Sequence, residues 1–507
     1  MRNSARAPLV SPAKRETVTV TTSSIDQKTF DVVVVGNGVL GLSLGLTLAR
    51  RGLGVALIGE AHRPTAASTA AGAMLGCFGE VTTTLLKSEH GRTKMDFGVR
   101  AAKMWDSWLT ALDEDAPGED IRTADGTTVM LNTVGMAAID DANFTAIRDM
   151  LDTYDEPYED VDPADIEWLD PDPNARPLRA MHIPGEHAVN TPELLDRLQT
   201  AFVRRGGTVV DDTAVRLHHQ DSRINGVTLA SGAQLSSARV VLAGGARTQE
   251  LLDTMPELSA RIPRLVSGYG VSALMRTEGG SGPRSVLRTP NRAFACGLHV
   301  LPRGEGEVYV GATNVISPEP VTIPAMGDVL FLLECSARQV RRDLWGSGVH
   351  KLQVGNRPVS LDGFPLLGEA GVEGLWMMTG TYRDGLHLSP LLAEEMTRRL
   401  LGEEHHLDWD AFRPVRSPIA PESREEIVQT VSTHLLATGY EYPWRMPVMY
   451  PMLIEAGFQN SFSAWADELD PEFTPPAELL AVSRRLYPVI GKWLREYYAA
   501  SRSAREV

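Results

Sequence analysis

DVVVVGNGVLGLSLGLTLARRGLGVALIGE, residues 31–60, decides how the rest of the chain is read. Residues 32–35 are consecutive valines, the β-branched composition of a strand buried on both faces. They run into a turn that places Gly36, Gly38 and Gly41 in the spacing G-x-G-x-x-G. An apolar helical stretch then reaches Arg50, Gly52 breaks it, and residues 55–58 form a second short apolar strand. This is a βαβ unit carrying the dinucleotide-binding fingerprint in the context it requires. Gly36 permits the tight turn, Gly38 lets the backbone approach a pyrophosphate, and Gly41 packs the helix against the strand. Val39 and Leu40 open that helix, whose N–H groups and dipole favour phosphate. Gly45, one turn on, extends the close-packing face. The acid that grips an adenosine ribose commonly ends the second strand, where this chain has Gly59. Glu60 follows one residue late as the candidate for that contact.

The same stretch invites two other readings. Between Asp31 and Arg50 lie about eighteen uncharged residues, the length of a membrane-crossing helix. The glycine turn and the strand-like start oppose it. Residues 41–45 also match the G-x-S-x-G nucleophile elbow. That elbow needs its serine at the strand-to-helix turn, and Ser43 lies beyond it, so Ser43 reads as a helix residue.

At 507 residues, with 43% hydrophobic and 22% charged residues, the chain has the composition of a globular protein with one large or several ordinary cores. A formal net charge of −16 opposes non-specific binding to nucleic acid or to an anionic membrane, though not a local basic pocket. Cys77, Cys296 and Cys335 are far apart, odd in number and in no metal-binding spacing. They imply a reducing, cytoplasmic compartment without a disulfide framework. Residues 1–28 lack the apolar core of a secretory signal and read as a flexible arm rich in Ser, Thr and Arg, with a transit sequence as the alternative. The acid–histidine run at 403–406 reads as a solvated helix end, and no metal is expected.

Residues 61–80 are small, Gly/Ala-rich and nearly uncharged, so this backbone could lie against a flat ligand or simply pack under a sheet. Helical periodicity covers 94–112, and a strand pair is expected at 127–131 and 135–139. Thr191 as N-cap, Pro192 and Glu193 open a helix that the pair Gly206 and Gly207 ends. Hairpin turns are expected at Asn225-Gly226 and Ser231-Gly232, and a buried strand at 239–245 ends on glycines. Residues 267–275, 285–288, 294–301 and 307–313 alternate like an antiparallel sheet, with helix at 329–345. A strand at 375–379 runs through a glycine-flanked loop into a helix opening at Ser389-Pro390. Residues 414–421 read as a linker. Helices are expected at 425–437, 452–457, 461–469 and 476–501, with buried contacts at Trp444, Trp465 and Trp493.

Several of these stretches resemble the D-amino-acid oxidase superfamily of FAD enzymes, most closely its glycine oxidase and sarcosine oxidase branch. They are GNGVLG at 36–41, ASTAAGAML at 67–75, HAVNTPELLDRL at 187–198, VVLAGGA at 240–246, VLPRGEGEVYVGAT at 300–313, GNRPVSLDGFPLLG at 355–368 and GTYRDGLHLSP at 380–390. Their order agrees with the family over about residues 30–402, and the chain beyond about 415 lies outside the resemblance.

The resemblance implies an α/β fold with a discontinuous Rossmann-type FAD-binding domain (30–100, 186–250 and 351–403). An antiparallel-sheet substrate domain (101–185 and 251–350) and an added helical region at 416–507 complete it, after a flexible arm at 1–29. FAD would be held by the glycine turn and Glu60, by Ser68, Thr69, Ala71, Gly72 and Met74 along the ring, and by Gly244. Gly380, Arg383, Asp384, Gly385, Leu386 and His387 would face its pyrimidine end. Arg357 matches the family's substrate-carboxylate arginine and Arg383 a second arginine near flavin and substrate, a planar guanidinium being suited to bidentate pairing. His299 falls where glycine oxidases carry a carboxylate-binding tyrosine, and His387 where an aliphatic residue is usual. Those departures point away from simple glycine towards a specialised, biosynthetic amino acid or amine. Covalent flavin attachment through Cys77 or Cys296 is not expected. The implied reaction is oxidation of an amino acid or secondary amine to the imine, with O₂ reduced to H₂O₂. A dehydrogenase with a protein or quinone acceptor, and a catalytically silent scaffold, are the rival readings. The C-terminal helices are candidates for a homo-oligomer contact.

Overall fold

The structure, a computed structural model, describes residues 26–292, 297–442, 444, 446, 447 and 449–505. Most of the N-terminal arm, Cys296 and the start of the 294–301 strand therefore lie outside the described residues. Strand β1 (Val32–Val35) is buried at every position because it has a parallel neighbour on each side, β2 (Val55–Ile58) and Val240–Leu242. Helix α1 (Val39–Arg50) is buried from Val39 through Ala49, which explains its lack of charge without any membrane. No helix among the described residues is long and apolar enough to cross a membrane. Thr208–Val210 and Leu375–Thr379 extend the sheet in parallel, and Leu366–Glu369 adds an antiparallel edge. Where β1 turns into α1 there is no room for side chains. A Cβ on Gly36 would sit 2.4 Å from the Ala243 carbonyl oxygen, and one on Gly41 would sit 1.8 Å from the Gly36 oxygen.

A second, nine-stranded sheet stands beside the first. Its spine is β3 (Leu265–Arg276), paired along its whole length with antiparallel β4 (Gly348–Ser360). Glu307–Gly311, His299–Pro302 and Val286–Arg288 continue it antiparallel, and Thr127–Asn132 joins in parallel to Val286–Arg288. The molecule is thus an α/β fold with an antiparallel-sheet half and a distinct C-terminal bundle.

Several local expectations are corrected. Residues 135–139 are not a strand: Asp140 accepts the Met136 N–H at 2.7 Å and starts the helix Ala137–Thr153, while Thr127–Asn132 pairs with Pro177–Ile183. Asn190, not Thr191, caps its helix, and the freed Thr191 hydroxyl donates to the Ala71 carbonyl at 3.2 Å. The first hairpin turns at Asp221 and Ser222, both with positive φ, leaving Asn225 and Gly226 within a strand. In the C-terminal region the expected 452–457 and 461–469 helices are one, and the expected 476–501 helix is two. The bundle comprises α2 (Arg424–Glu441), α3 (Tyr450–Leu469), α4 (Ala477–Ser483) and α5 (Pro488–Arg505). Trp465 is buried there, but Trp444 is 53% exposed.

The bundle is docked on the body of its own chain. Ile427, Val431, Trp465, Leu480, Ile490 and Leu494 share one apolar core with Val266, Ile316, Val359 and Leu361. The 414–421 segment is anchored rather than loose. Arg416 forms a two-pronged bond to buried Asp362, Nε to Oδ2 at 2.8 Å and Nη2 to Oδ1 at 2.7 Å. Tyr497 of α5 then donates to the Arg416 carbonyl at 3.0 Å. Breaking a buried pair from one side typically costs about 3–5 kcal/mol. Arg416→Ala should therefore lower thermal stability strongly, and Arg416→Lys should recover only part, since an ammonium cannot reproduce the fork. Unchanged melting in both variants would show that the segment is held by other contacts.

Candidate functional site

An elongated cleft of about 1540 Å³, counted to its mouth, runs from the glycine turn to Arg357 and Arg383. Its length, from the glycine turn at one end to the two arginines at the other, suits an extended dinucleotide. Gly36, Gly38, Val39, Leu40, Glu60, Ser68, Ala71 and Gly244 line one end and middle, and Arg383, Gly385 and Leu386 the other. The Ser68 hydroxyl accepts the Val39 N–H at 3.1 Å, tying the Gly/Ala-rich segment to the start of α1. Gly59 replaces the usual acid for a steric reason, because a Cβ there would lie 2.4 Å from the Asn37 side chain. Asn37 donates to the Glu60 carbonyl at 2.9 Å. The Glu60 carboxylate lines the cleft, already accepting from Thr213 at 3.2 Å and Arg247 at 3.1 Å. A glycine turn too tight for side chains at Gly36 and Gly41, opening onto a helix N-terminus, fits the pyrophosphate of a dinucleotide such as FAD.

Three of the expected cofactor residues line neither this cleft nor the chamber beside it. Gly41 packs beneath the turn, Thr69 donates to the Ala66 carbonyl at 2.9 Å, and Gly380 makes a positive-φ bend against Leu366.

A second chamber, about 1160 Å³ to its mouth, lies against the first. Gly72, Met74, Cys77, Glu80, Lys94, His299, Asp384 and His387 line it. Ala71, Tyr309, Ala312, Arg357, Tyr382, Arg383 and Leu386 line both cavities, so both arginines stand where the two meet.

Arg357 rises from β4 opposite Gly268 of β3. Its neighbour on the same face is Gly270, where a Cβ would lie 2.5 Å from both terminal nitrogens. Nη1 donates to the Thr313 carbonyl and Asn314 Oδ1, each at 3.2 Å, and to the Gly268 carbonyl at 3.4 Å. All three acceptors are uncharged. Among the described residues no carboxylate lies within ion-pair distance of Arg357, and its Nε and Nη2 meet no protein acceptor. Arg383 differs. Its Nη1 lies 4.0 Å from Glu80 Oε2, and its guanidinium lies over the Tyr382 ring. Burial disfavours ionised Glu80, but Arg288, bonded at 2.6 Å, and Arg383 overcome it and hold this carboxyl far below the usual range. Lys94 is paired with Asp384 at 3.0 Å.

His299 is buried and stacked on Tyr309. Its Nδ1 bonds the Gly297 carbonyl at 2.8 Å, which makes Nδ1 the donor and leaves Nε2 as an acceptor beside Gly72 and Gly311. Burial, with Arg288 opposing a second positive charge, pushes its pKa down to about 4. Buried His387 is fixed by Nε2 on the Gly98 carbonyl at 2.7 Å, and Trp105 donates to its carbonyl at 2.9 Å. Burial lowers its pKa too, so both rings are neutral parts of the wall. Cys77 is a free thiol whose pKa burial pushes well up.

Sequence reasoning missed Glu80, Lys94, Asn314 and Tyr382. Glu80 had a signal, a lone acid closing a nearly uncharged stretch. So did Gly268 and Gly270, two glycines on one face of a strand, which mark a close approach. Lys94 and Asn314 had none.

Comparison with known proteins agrees with this geometry. The glycine oxidase of Geobacillus kaustophilus (strain HTA426) is 28% identical over 369 residues, covering 71% of this chain and 90% of that protein. The glycine oxidase of Pseudomonas aeruginosa PAO1 is 27% identical over 387 residues, 76% of this chain and 98% of its own. Among solved structures, iminodiacetate oxidase from Chelativorans sp. BNC1 superposes with a TM-score of 0.65 at 20% identity, covering 77% of this chain and all of its own. The family profile described as FAD dependent oxidoreductase matches residues 31–399, from the valine strand through the helix after Arg383, and the chain belongs to that family.

Proposed function

We propose that this chain oxidises a carboxylate-bearing amino acid or secondary amine to its imine, with Arg357 as the substrate's anchor. The observation that carries this reading is the contrast between the two arginines. Arg383 has a carboxylate partner in Glu80, whereas Arg357 stands at the junction of two cavities with only neutral acceptors on Nη1. A guanidinium tethered by one nitrogen keeps its Nε/Nη2 edge for bidentate pairing with a carboxylate.

Gly36, Gly38 and the first turn of α1 would hold the FAD pyrophosphate, and Ser68 and Ala71 would lie along the ring system. When bound, FAD accepts the two electrons of C–N oxidation and passes them to O₂, giving H₂O₂. The protein's part is positioning and electrostatics. Arg357 fixes the carboxylate, and with it the α-carbon at the wall between the chambers. Glu80 restrains Arg383 and cancels part of its charge. His299, neutral at pH 7, neither repels a protonated amine nor competes with Arg357 for the carboxylate. Where the amine is already neutral, no side chain need act as general base.

The second chamber has Met74, Leu85, Met95 and Leu388 in its wall, apolar surface that glycine would leave unused. It supports a larger, specialised biosynthetic substrate. Anaerobic reduction of bound flavin by a panel of glycine, sarcosine, and larger D- and L-amino acids tests this directly. Larger carboxylate-bearing amines should reduce the flavin fastest, and oxygen uptake should accompany turnover. Glycine as the best substrate would refute the size reading, and no reduction by any amine would refute the oxidase.

Losing one side of a buried charged pair typically costs about 2–5 kcal/mol, so Arg357→Ala should lower kcat/KM by roughly 30-fold to several thousand-fold. FAD content and melting temperature should stay near those of the parent. Equal losses for acids and for amines without a carboxylate would show that Arg357 holds the protein rather than the substrate.

With its pKa near 4, His299 does not titrate between pH 5 and 9. The pH–rate profile should therefore show no step near pH 6.5 that His299→Gln removes. The stability contribution has the opposite requirement. Unfolded histidine takes up a proton near pH 6.5 but folded His299 does not, so stability should fall as pH drops from 6.5 towards 4. His299→Gln should flatten that fall in a series of thermal melts.

A further inference from the structure

The region after residue 399 lies outside the family match, yet one of its side chains reaches the arginine just described. Glu478 stands in the first turn of α4. Its Oε2 accepts the Tyr382 hydroxyl proton at 2.8 Å. The Tyr382 oxygen in turn accepts from Asn314 Nδ2, and Asn314 Oδ1 accepts from Arg357 Nη1 at 3.2 Å. Each donor and acceptor has one direction in this series, so the carboxylate orients the phenol, the phenol the amide, and the amide the guanidinium.

The surroundings show a built path rather than a chance contact. Tyr382 has a positive φ of 52°, and its N–H is bonded to the Pro358 carbonyl at 3.0 Å, next to Arg357. Its ring lies where a Cβ on Gly268 would be, 2.8 Å from Cε2. The same Cβ would come within 3.3 Å of Asn314 Oδ1. Tyr382 also packs against the apolar core that joins the helical bundle to the body. Burial pushes the Glu478 carboxyl above the ordinary range, with Arg383, the Tyr382 hydrogen bond, Lys94 and Arg357 all pulling it back.

We propose that Glu478, delivered by the C-terminal bundle, is a positioning residue that sets the guanidinium of Arg357 for carboxylate binding through Tyr382 and Asn314. The bundle is then part of the substrate site rather than an attachment to it. This rests on the reading of Arg357 as the carboxylate anchor.

The test uses the full-length holoenzyme. The probes are the amino acid that reduces the flavin fastest in the panel above and its methyl ester, which has the same α-carbon but no carboxylate. Half-saturation and limiting rate are measured by anaerobic flavin reduction, with holoenzyme melting recorded in parallel. Tyr382→Phe and Glu478→Ala should each raise half-saturation for the acid by about 10-fold, the scale of one charge-linked hydrogen bond, and for the ester by less than about 2-fold. Because they act on one path, the double variant should lose no more than the larger single loss. Glu478→Gln, which keeps an acceptor for the phenol, should recover most of the acid affinity. Equal losses for acid and ester, additive losses in the double variant, or no rescue by Gln would each overturn the proposal. If Glu478→Ala does not hold FAD, Tyr382→Phe and Glu478→Gln alone decide. Arg357→Ala separates the two readings. If it abolishes the preference for acid over ester while Tyr382→Phe leaves it intact, only the relay falls. If Arg357→Ala leaves that preference intact, the anchor reading and the relay fall together.

Discussion

β3 and β4 are hydrogen-bonded along all of β3, and this ladder sets the height at which Arg357 faces Gly268. Side chains alternate along a strand, so a slip of one residue would turn Arg357 to the opposite face. The ladder also carries the link between the two halves of the molecule. Asn356, the residue before Arg357, bonds the Thr65 carbonyl through both its backbone and its side chain, at 3.1 and 3.0 Å. The Gly/Ala-rich segment beside the glycine-turn cleft is thus sewn to the strand that presents Arg357. Gly355 completes the approach, since a Cβ there would meet Ala70 at 2.9 Å. Gly355, Asn356 and Arg357, three successive residues of β4, thus approach that segment, tie it down and reach the wall shared by the two cavities.

Charge in the second chamber is distributed by the same economy. Buried cations are costly unless paired, and most of those here are paired: Arg288 and Arg383 with Glu80, and Lys94 with Asp384. Arg357 has partial charges only, from two carbonyls and an amide. The neighbouring histidine is kept neutral by its burial and by Arg288. Among the described residues, Arg357 thus has no carboxylate at ion-pair distance while its neighbouring cations do, an arrangement in which an added anion gains more beside Arg357 than beside the paired groups.

The parallel sheet was legible because its physics is local. Four valines, a glycine turn and an apolar helix specify one another within thirty residues. Arg357 and Arg383 were singled out through motifs, both lying in stretches whose residue order is distinctive, and the fold brings both to the wall shared by the two cavities. What escaped was whatever depended on long-range partners. The start of the Ala137–Thr153 helix was read as strand because Asp140, which starts it, is held from the far side by Arg292 at 2.7 Å. The 414–421 segment looked like a linker because nothing nearby shows that Arg416 meets Asp362, more than fifty positions back in the chain. Glu478 is one acid among many in a helical region, and only the fold brings it to Tyr382. Gly268 and Gly270 were visible but read as ordinary strand residues, although two bare positions on one face announce that something large lies there.

The shared core between the bundle and β3, β4 has a consequence for how the chain is made. Val266, Ile316, Val359 and Leu361 are complete parts of the body well before their cover has been synthesised. At typical elongation rates, roughly ninety further residues take on the order of 5–20 s to emerge. Throughout that interval the ribosome-bound body presents an apolar sheet face to solvent, next to strands able to pair with a neighbouring nascent chain. The same interval leaves Tyr382 without its carboxylate. Glu478 therefore joins Tyr382 only on the last stretch of translation.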